Sequence, residues 1–392
     1  MVLHARPEQV VLRSRNAVAV VFALNGFAAA NWMARIPEAR DSLEINPAQL
    51  GTLLLAISFG AISALPLAGA LVHRCGARVV ITGGAAVLAF GLALSGFASA
   101  ALANYWLTGA GLLAVGLGSG VWDVAMNIEA AAVERELGRT IMPRFHAGFS
   151  FGTVLGAGSG AAAAAGGVPL AVHLAIVAVV ITVGPVLVSP ALPPAHETAD
   201  EPLGRAWRAW AEPRTLLIGL MVLAMALTEG TANDWLTVAL VDGYDLPHWL
   251  GAVGFAVFLG AMTAGRIAGT RLLDRFGRVK VLWTTMATAG CGVLLVVFGG
   301  WPLALVGAAI WGIGASLGFP VGMSAAADDA ENAAARVSVV STIGYTAFLA
   351  GPPVLGYLGN HVGTLHALLA VAVLLVPSAL AVPAARPTGN RR

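Results

Sequence analysis

The chain has 392 residues, of which 58% are hydrophobic and only 11% are charged. Soluble globular domains carry about 25% charged residues, so this composition, with a mean hydropathy of +0.82, excludes a soluble globular protein. The formal net charge of +2 says little by itself, and we predict no nucleic-acid partner.

Apolar runs divide the chain into twelve predicted membrane spans, which we number 1 to 12 in chain order. Each run has about the 20 residues that a helix needs to cross a bilayer. Spans 1 to 6 lie near 17–37, 49–72, 79–100, 105–131, 145–166 and 168–189. Spans 7 to 12 lie near 214–239, 249–272, 281–300, 303–326, 337–358 and 365–384. Because backbone polar groups in lipid must be satisfied within the segment, we predict that the spans are helices.

Residues 190–213 form the longest polar break and are rich in proline and charge. The break predicts an N-terminal six-helix bundle (1–189), a cytoplasmic linker (190–213) and a C-terminal six-helix bundle (214–392). The fold class predicted is therefore an all-α membrane protein.

The placement of arginine and lysine predicts the orientation of the spans. With the N-terminus in the cytoplasm, 19 of the 22 basic residues fall in cytoplasmic segments. Only Arg35 and Arg40 fall outside, and Arg266 lies within a span. Since basic residues are enriched on the cytoplasmic side of membrane proteins, we predict a multi-pass plasma-membrane protein with both termini in the cytoplasm. Cys75 falls in a cytoplasmic loop and Cys291 in a span, so we expect no disulfide.

Span 4 ends in the run GLGSGVWDVAMNIE (116–129), which contains the carboxylates Asp123 and Glu129. An ionised carboxylate inside a bilayer costs about 2.5–3.5 kcal/mol even on lenient scales, so each must be neutralised, paired or functional. Asn127 follows Asp123 by four residues and shares its helical face. Asp123 is either a site that loads and releases a proton or half of a structural ion pair. Glu129 lies next to the predicted loop, where it snorkels or forms a gate salt bridge.

Spans 7 and 8 supply the polar candidates of the second half. Glu229 lies near the centre of span 7, in the mid-span place that Asn25 has in span 1, and Asn233 follows one turn later. Glu229 is either a proton or substrate site or a buried structural acid. Arg266 in span 8 is expected to pair with Asp123 or Glu129 at an inner gate, or to balance the charge of an anionic substrate.

Aromatic side chains give further candidates. Trp32 and Trp235 suit the outer membrane interface, whereas Trp122 lies deeper and is placed to stack on a ring. His146 opens span 5 as a solvated residue or a proton relay. Tyr345 lies in a polar stretch of span 11 and is placed to reach a cavity. The sequence contains no phosphate-binding loop, paired catalytic acids or metal-ligand cluster, so we predict no enzymatic activity and no cofactor.

The two halves of the chain resemble each other at three places, in the same order and on the same predicted side. Parallel repeats of this kind occur in membrane transporters. The matching segments are 25–32 with 229–235, 73–78 with 274–278, and 116–118 with 312–314.

Over essentially its whole length the chain resembles the major facilitator superfamily. The family's loop signature, Gly-x-x-x-Asp-Arg-x-Gly-x-Arg, follows span 2 here with a histidine in place of the usual aspartate, and its second copy follows span 8. The resemblance implies that these loops are gate components whose cations pair with acids and helix ends on neighbouring helices. The matching residues are Gly69, His73, Arg74, Gly76 and Arg78, then Asp274, Arg275, Gly277 and Arg278.

Within that superfamily the chain is similar to the fucose permease branch and to the YbjJ-type permeases beside it. Sugar:proton symporters of the branch carry an acid late in span 4 and an asparagine four residues on, which Asp123 and Asn127 match. They also carry a polar pattern at the start of span 5, here 146–153. The acid of the branch's first span has no counterpart, because Asn25 and Asn31 occupy that span.

We therefore predict a monomeric secondary transporter that works by alternating access and takes its energy from the proton gradient. The leading interpretation is proton-coupled symport of a small, sugar-like polar solute, with Asp123 and then Glu229 as proton carriers. The alternatives are proton-antiport efflux of a small amphipathic compound and a membrane sensor that binds without transport. The predicted substrate ligands are Asn25, Asn31, Trp122, Asn127, His146, Asn233 and Tyr345.

Overall fold

A computed structural model describes residues 8–137, 141–192, 209–328 and 333–387. Within these ranges the chain is helical and contains no β-strand, which confirms the predicted all-α class. Most of the predicted linker, 193–208, lies outside the described residues. Six of the basic residues used to predict the orientation also lie outside them: Arg6, Arg139, Arg205, Arg208, Arg391 and Arg392.

The first half contains the helices of spans 1 to 6. Span 1 is Glu8–Ala34, and a short helix, Ile36–Leu43, follows it. Spans 2 and 3 are the two parts of Pro47–Ala100, which is interrupted at Gly76. Spans 4, 5 and 6 are Tyr105–Leu137, Met142–Ala165 and Leu170–Val188, and a single 3-10 turn, Ser189–Ala191, ends the half.

The second half contains the helices of spans 7 to 12, two of which have irregular backbone in their interior. Span 7 consists of Pro213–Thr231, a π-helical turn at Ala232–Leu236, and Thr237–Tyr244. Spans 8 and 9 are His248–Phe276 and Arg278–Phe298. Span 10 is broken between Leu303–Ala315 and Gly318–Ala326. Span 11 is Ala333–Val362, and span 12 consists of Thr364–Ala367 and Leu369–Ala379, followed by the 3-10 turn Val382–Ala385.

Ten helical segments of the described residues are long and apolar enough to cross a membrane. The two remaining spans are span 5, whose first turns contain Arg144 and His146, and span 12, whose apolar stretch Thr364–Ala379 is shorter. Together these segments form the twelve predicted helices. The chain divides into two compact units, Met1–Ala199 and Asp200–Arg392.

Glycine permits the abrupt reversal between spans 2 and 3 and between spans 8 and 9. Gly76 has φ 80° and ψ 152°, and Gly277 has φ 76° and ψ 160°. Residues with a Cβ rarely adopt this region, whereas glycine does so at little cost. The same backbone conformation at both signature glycines supports the predicted correspondence of these two loops.

The packing of spans 4 and 10 shows the repeat most clearly. A methyl group on Gly116 would clash with the carbonyl of Ile57 in span 2, and one on Gly312 would clash with the carbonyl of Phe258 in span 8. Small residues allow helix backbones to approach this closely. The correspondence predicted between 116–118 and 312–314 is confirmed by these equivalent contacts.

Candidate functional site

Asp123 and Asn127 lie together on span 4, as their spacing predicts. Both side chains are half-buried. The Asn127 amide donates hydrogen bonds to the Asp123 backbone carbonyl at 2.9 Å and to its carboxylate Oδ1 at 3.3 Å. Among the residues that the structure describes, Asp123 has no cationic partner. The interpretation of Asp123 as half of a structural ion pair therefore finds no cation among these residues.

Trp122 has a different role from the one predicted. Its side chain is completely buried, and its backbone and Cβ lie beside Gly84 of span 3. The ring therefore fills the contact between spans 3 and 4 and presents no face for stacking. The prediction that it binds a substrate ring is wrong for this conformation.

Glu129 lies deeper in the protein than its place in the sequence indicated. The helix of span 4 continues to Leu137, six residues beyond the predicted end, so Glu129 is two turns from the loop. Its side chain is only 2% exposed. A carboxylate this buried does not snorkel, so a gate salt bridge stays the prediction for Glu129.

The polar residues of span 1 contact span 5. Asn31 is fully buried; its amide nitrogen donates to the Phe27 carbonyl at 2.8 Å, and its amide oxygen accepts from Ser159 at 2.8 Å. We therefore revise its predicted role from substrate ligand to helix–helix contact. Asn25 is also buried, but its amide nitrogen has no hydrogen-bond partner. His146 is exposed, and its ring packs edge-on to Phe22 with centroids 5.3 Å apart.

Arg266 pairs with Glu229, a partner that the sequence analysis did not propose for it. One guanidinium nitrogen, Nη2, lies 3.1 and 3.0 Å from the two carboxylate oxygens of Glu229. Nε lies 3.4 Å from the carbonyl of Ser316, where span 10 is broken. The ion pair thus joins spans 7, 8 and 10 within one half of the chain.

The π-helical turn of span 7 contains a second half-buried carboxylate, Asp234, and the half-buried Asn233. Asp234 forms no hydrogen bond or ion pair with the residues that the structure describes. Turns of this kind are frequent at functional sites. The sequence signal for Asp234 was a second acid five residues after Glu229 in an apolar span, but we predicted no role for it. The adjacent Trp235 is 1% exposed and Trp32 is 2% exposed, so their predicted location in an interfacial belt is wrong.

Tyr345 is exposed and forms an aromatic cluster with Phe319 and Phe348. The Tyr345 ring centroid lies 6.4 Å from that of each phenylalanine. Phe319 comes from span 10 and the other two rings from span 11. The sequence analysis identified Tyr345 but neither of its neighbours.

The two copies of the loop signature differ in their contacts. His73, Arg74 and Arg78 are exposed and form no hydrogen bond or ion pair through their side chains with the described residues. Gly69 lies within a helix and faces open space, so its position does not require glycine.

In the second copy Arg278 donates to Asp328 at 2.6 Å, and the same carboxylate accepts from Arg214 at 3.0 Å. Asp274 is exposed, and Arg275 lies 5.2 Å from the ring of Phe276. Asp328, which follows span 10, is therefore the acid that binds the loop cation here.

Comparison with known families identifies the chain. The Major Facilitator Superfamily model matches residues 18–272 and 253–391, which together include nearly the whole sequence. The protein belongs to the major facilitator superfamily. Membership makes it a multi-pass membrane transporter rather than an enzyme.

Two curated proteins are similar to this transporter over almost their full lengths. An uncharacterised MFS-type transporter of Yersinia pestis is 33% identical over 378 residues, covering 95% of this chain and 96% of that protein. Membrane protein MosC of Rhizobium meliloti is 29% identical over 358 residues, covering 90% and 85%.

Solved structures of the superfamily share the fold of this transporter. The nucleoside transporter NupG superimposes with a TM-score of 0.79 at 14% identity, covering 95% of this chain and 99% of that one. The E. coli fucose:proton symporter FucP superimposes with a TM-score of 0.64 at 18% identity, covering 95% and 98%. At these identities the likeness extends to the fold and not to a particular branch of the superfamily.

Proposed function

We propose that this transporter imports a small polar solute together with a proton, and that Asp123 carries the proton. The observation that carries the proposal is a half-buried carboxylate in a membrane span whose only polar partner among the described residues is the amide of Asn127. Without a cation nearby, the charged form is costly wherever water is excluded. Asp123 therefore holds a proton when its site is dry and releases it when water reaches it.

Asn127 positions the carboxylate in this scheme. An amide can donate to a carboxylate and accept from a carboxylic acid, so the pair stays bonded through loading and release. Glu229 is less suited to carry a proton in this conformation, because Arg266 already matches its charge. We assign the Glu229–Arg266 pair to the binding of polar groups on the solute, together with Asn233 and Tyr345.

The remaining parts of the proposal follow from this mechanism. The two halves alternate access to the solute, and the proton gradient supplies the energy, so no cofactor is needed. The protein works as a monomer in the plasma membrane with both termini in the cytoplasm. NupG is a nucleoside transporter and FucP a fucose:proton symporter; both names support a small polar solute as cargo here.

Reconstituted liposomes test the proposal directly. Sugars, nucleosides and amino acids are offered to liposomes whose exterior is more acidic than their interior, and both accumulation and internal pH are recorded. We expect uphill accumulation of at least one solute with acidification of the interior. Asp123→Asn should abolish uphill accumulation and leave exchange of the solute across the membrane, because the amide cannot carry a proton.

Asp41→Asn is the matched control. Asp41 is paired with Arg40, and its side chain is 45% exposed. Because the side chain is this exposed, removing its charge should leave accumulation unchanged. Accumulation by Asp123→Asn that still depends fully on the proton gradient would overturn the assignment of the carrier. Solute movement outward in exchange for protons would replace import with antiport.

A further inference from the structure

Three aromatic rings form a continuous surface in the second half of the chain. Phe319 and Tyr345 are tilted by 51° and Tyr345 and Phe348 by 45°, each pair with centroids 6.4 Å apart. These spacings lie in the range of attractive aromatic pairs, about 4.5–7 Å. Tyr345 is 40% exposed, whereas Phe319 and Phe348 are half-buried. The two phenylalanines thus pack behind the tyrosine, and the tyrosine is the exposed ring.

The repeat places this surface at the position of the proton carrier. Gly116 and Gly312 make equivalent contacts with spans 2 and 8, and Asp123 and Phe319 each follow their glycine by seven residues. Phe319 therefore has the sequence position in span 10 that Asp123 has in span 4, just after the break between Ala315 and Gly318.

The face of span 11 that carries Tyr345 is polar. Ser338, Thr342 and Tyr345 are spaced by four and three residues, lie on one helical face and are all exposed. The Thr342 hydroxyl donates to the Ser338 carbonyl of the same helix at 2.8 Å. Tyr345 is therefore the aromatic member of an exposed, hydroxyl-bearing face of span 11.

The aromatic surface adjoins the Glu229–Arg266 ion pair. The ring of Phe348 lies against Gly230, where an added methyl would be 3.1 Å from its nearest ring carbon, and Glu229 precedes that glycine. Arg266 reaches the carbonyl of Ser316, three residues before Phe319. The aromatic cluster and the charged hydrogen-bonding pair are therefore neighbours in the second half of the chain.

We propose that Phe319, Tyr345 and Phe348 form a stacking subsite for a cyclic solute, whose hydroxyl or amide groups are bound by Glu229 and Arg266. This inference rests on the proposed function, since it names the class of solute that is moved. A nucleobase and a pyranose both have a flat face and a polar edge. An open-chain polyol has the polar groups without the face, and the subsite discriminates against it.

Binding to the purified protein in detergent, without any gradient, tests the subsite. Uridine and L-fucose are the cyclic probes, and L-fucitol, the reduced open chain of fucose, is the acyclic one. A ligand that binds only the folded state raises its melting temperature, and the rise grows with the ratio of ligand concentration to Kd. We expect at least one cyclic probe to stabilise the protein and L-fucitol to bind at least tenfold more weakly than L-fucose.

Variants of span 11 distinguish a loss of stacking from a general loss of stability. Stacking on an aromatic ring contributes about 1–3 kcal/mol, so Tyr345→Ala should weaken binding of the cyclic probe by about 5- to 150-fold, while Tyr345→Phe should retain binding. Tyr357→Ala is the matched control, because Tyr357 is an exposed tyrosine of the same helix.

The subsite would be overturned by equal binding of L-fucose and L-fucitol, by undiminished binding in Tyr345→Ala, or by failure of both cyclic probes. A cyclic probe that binds as expected but is not accumulated with protons would overturn the proposed coupling and leave the subsite intact. The two proposals can therefore fail separately.

Discussion

Asp123 and Glu229 are both acids within membrane spans, but their neighbours differ. Asp123 touches only the neutral amide of Asn127 among the described residues, whereas Glu229 accepts two hydrogen bonds from Arg266. The side chains of the pair are 30% and 19% exposed for Arg266 and Glu229, respectively. Removing one member of the pair therefore strands a partly buried charge, whereas Asp123→Asn strands none.

This difference predicts a larger loss of stability for a change at Glu229 than for Asp123→Asn. Glu229→Gln should destabilise the protein by about 1–3 kcal/mol, between the values typical of exposed and buried pairs. Exchanging both residues, Glu229→Arg with Arg266→Glu, should recover a large part of that loss. Thermal unfolding of Glu229→Arg, Arg266→Glu and the double variant gives the coupling through a double-mutant cycle. Additive losses in the double variant would show that the pair contributes no coupling.

The helices that position these residues are held at short distance by glycines. Gly116 and Gly120 bring span 4 against span 2, and Gly118 brings it against span 3. The helix is thereby fixed on two sides, which sets where its remaining face presents Asp123. The break in span 10 and the π-helical turn in span 7 are a different kind of feature from these glycine contacts. Irregular backbone is tolerated at membrane depth only where protein or water satisfies its polar groups.

Alanine substitutions distinguish the glycines that pack from those that do not. Gly116→Ala and Gly312→Ala should each destabilise the protein by about 1–3 kcal/mol or more, because the added methyl meets backbone atoms that cannot move alone. Gly83→Ala and Gly290→Ala are the matched controls. Both lie in helices with no atom near the added methyl, so they should be neutral or slightly stabilising. Melting temperatures in one detergent provide the measurement, and equal behaviour of the two groups would contradict the packing argument.

The whole chain is organised as two similar units with different polar residues. The loop glycines and the contacts of spans 4 and 10 correspond, yet Asp123 has Phe319 as its counterpart. One unit thus supplies the proposed proton carrier and the other the proposed stacking surface and ion pair. The two units share the helix packing at these glycines and differ in single polar and aromatic side chains.

The orientation of the whole molecule can be tested with its two native cysteines. Cys75 is exposed beside the loop after span 2, and Cys291 is exposed within span 9. A membrane-impermeant maleimide should label Cys75 in inside-out vesicles and not in right-side-out vesicles. Cys291 should remain unlabelled in both, because it lies within a membrane span; Cys75→Ser, which retains only Cys291, is the control. Labelling of Cys75 from the outside would reverse the predicted orientation.

The sequence by itself determined the number of spans, the repeat, the superfamily and the pairing of Asp123 with Asn127. Each depends on local information: an apolar run of about 20 residues, a motif, or a spacing of four residues on one helix. The tertiary structure alone decided that Arg266 pairs with Glu229, that Trp32, Trp122 and Trp235 are buried, and that Tyr345 lies between two phenylalanines. Hydrophobicity shows that a residue is within a span but not which helix it faces, and in these spans close approach at glycines determines those contacts.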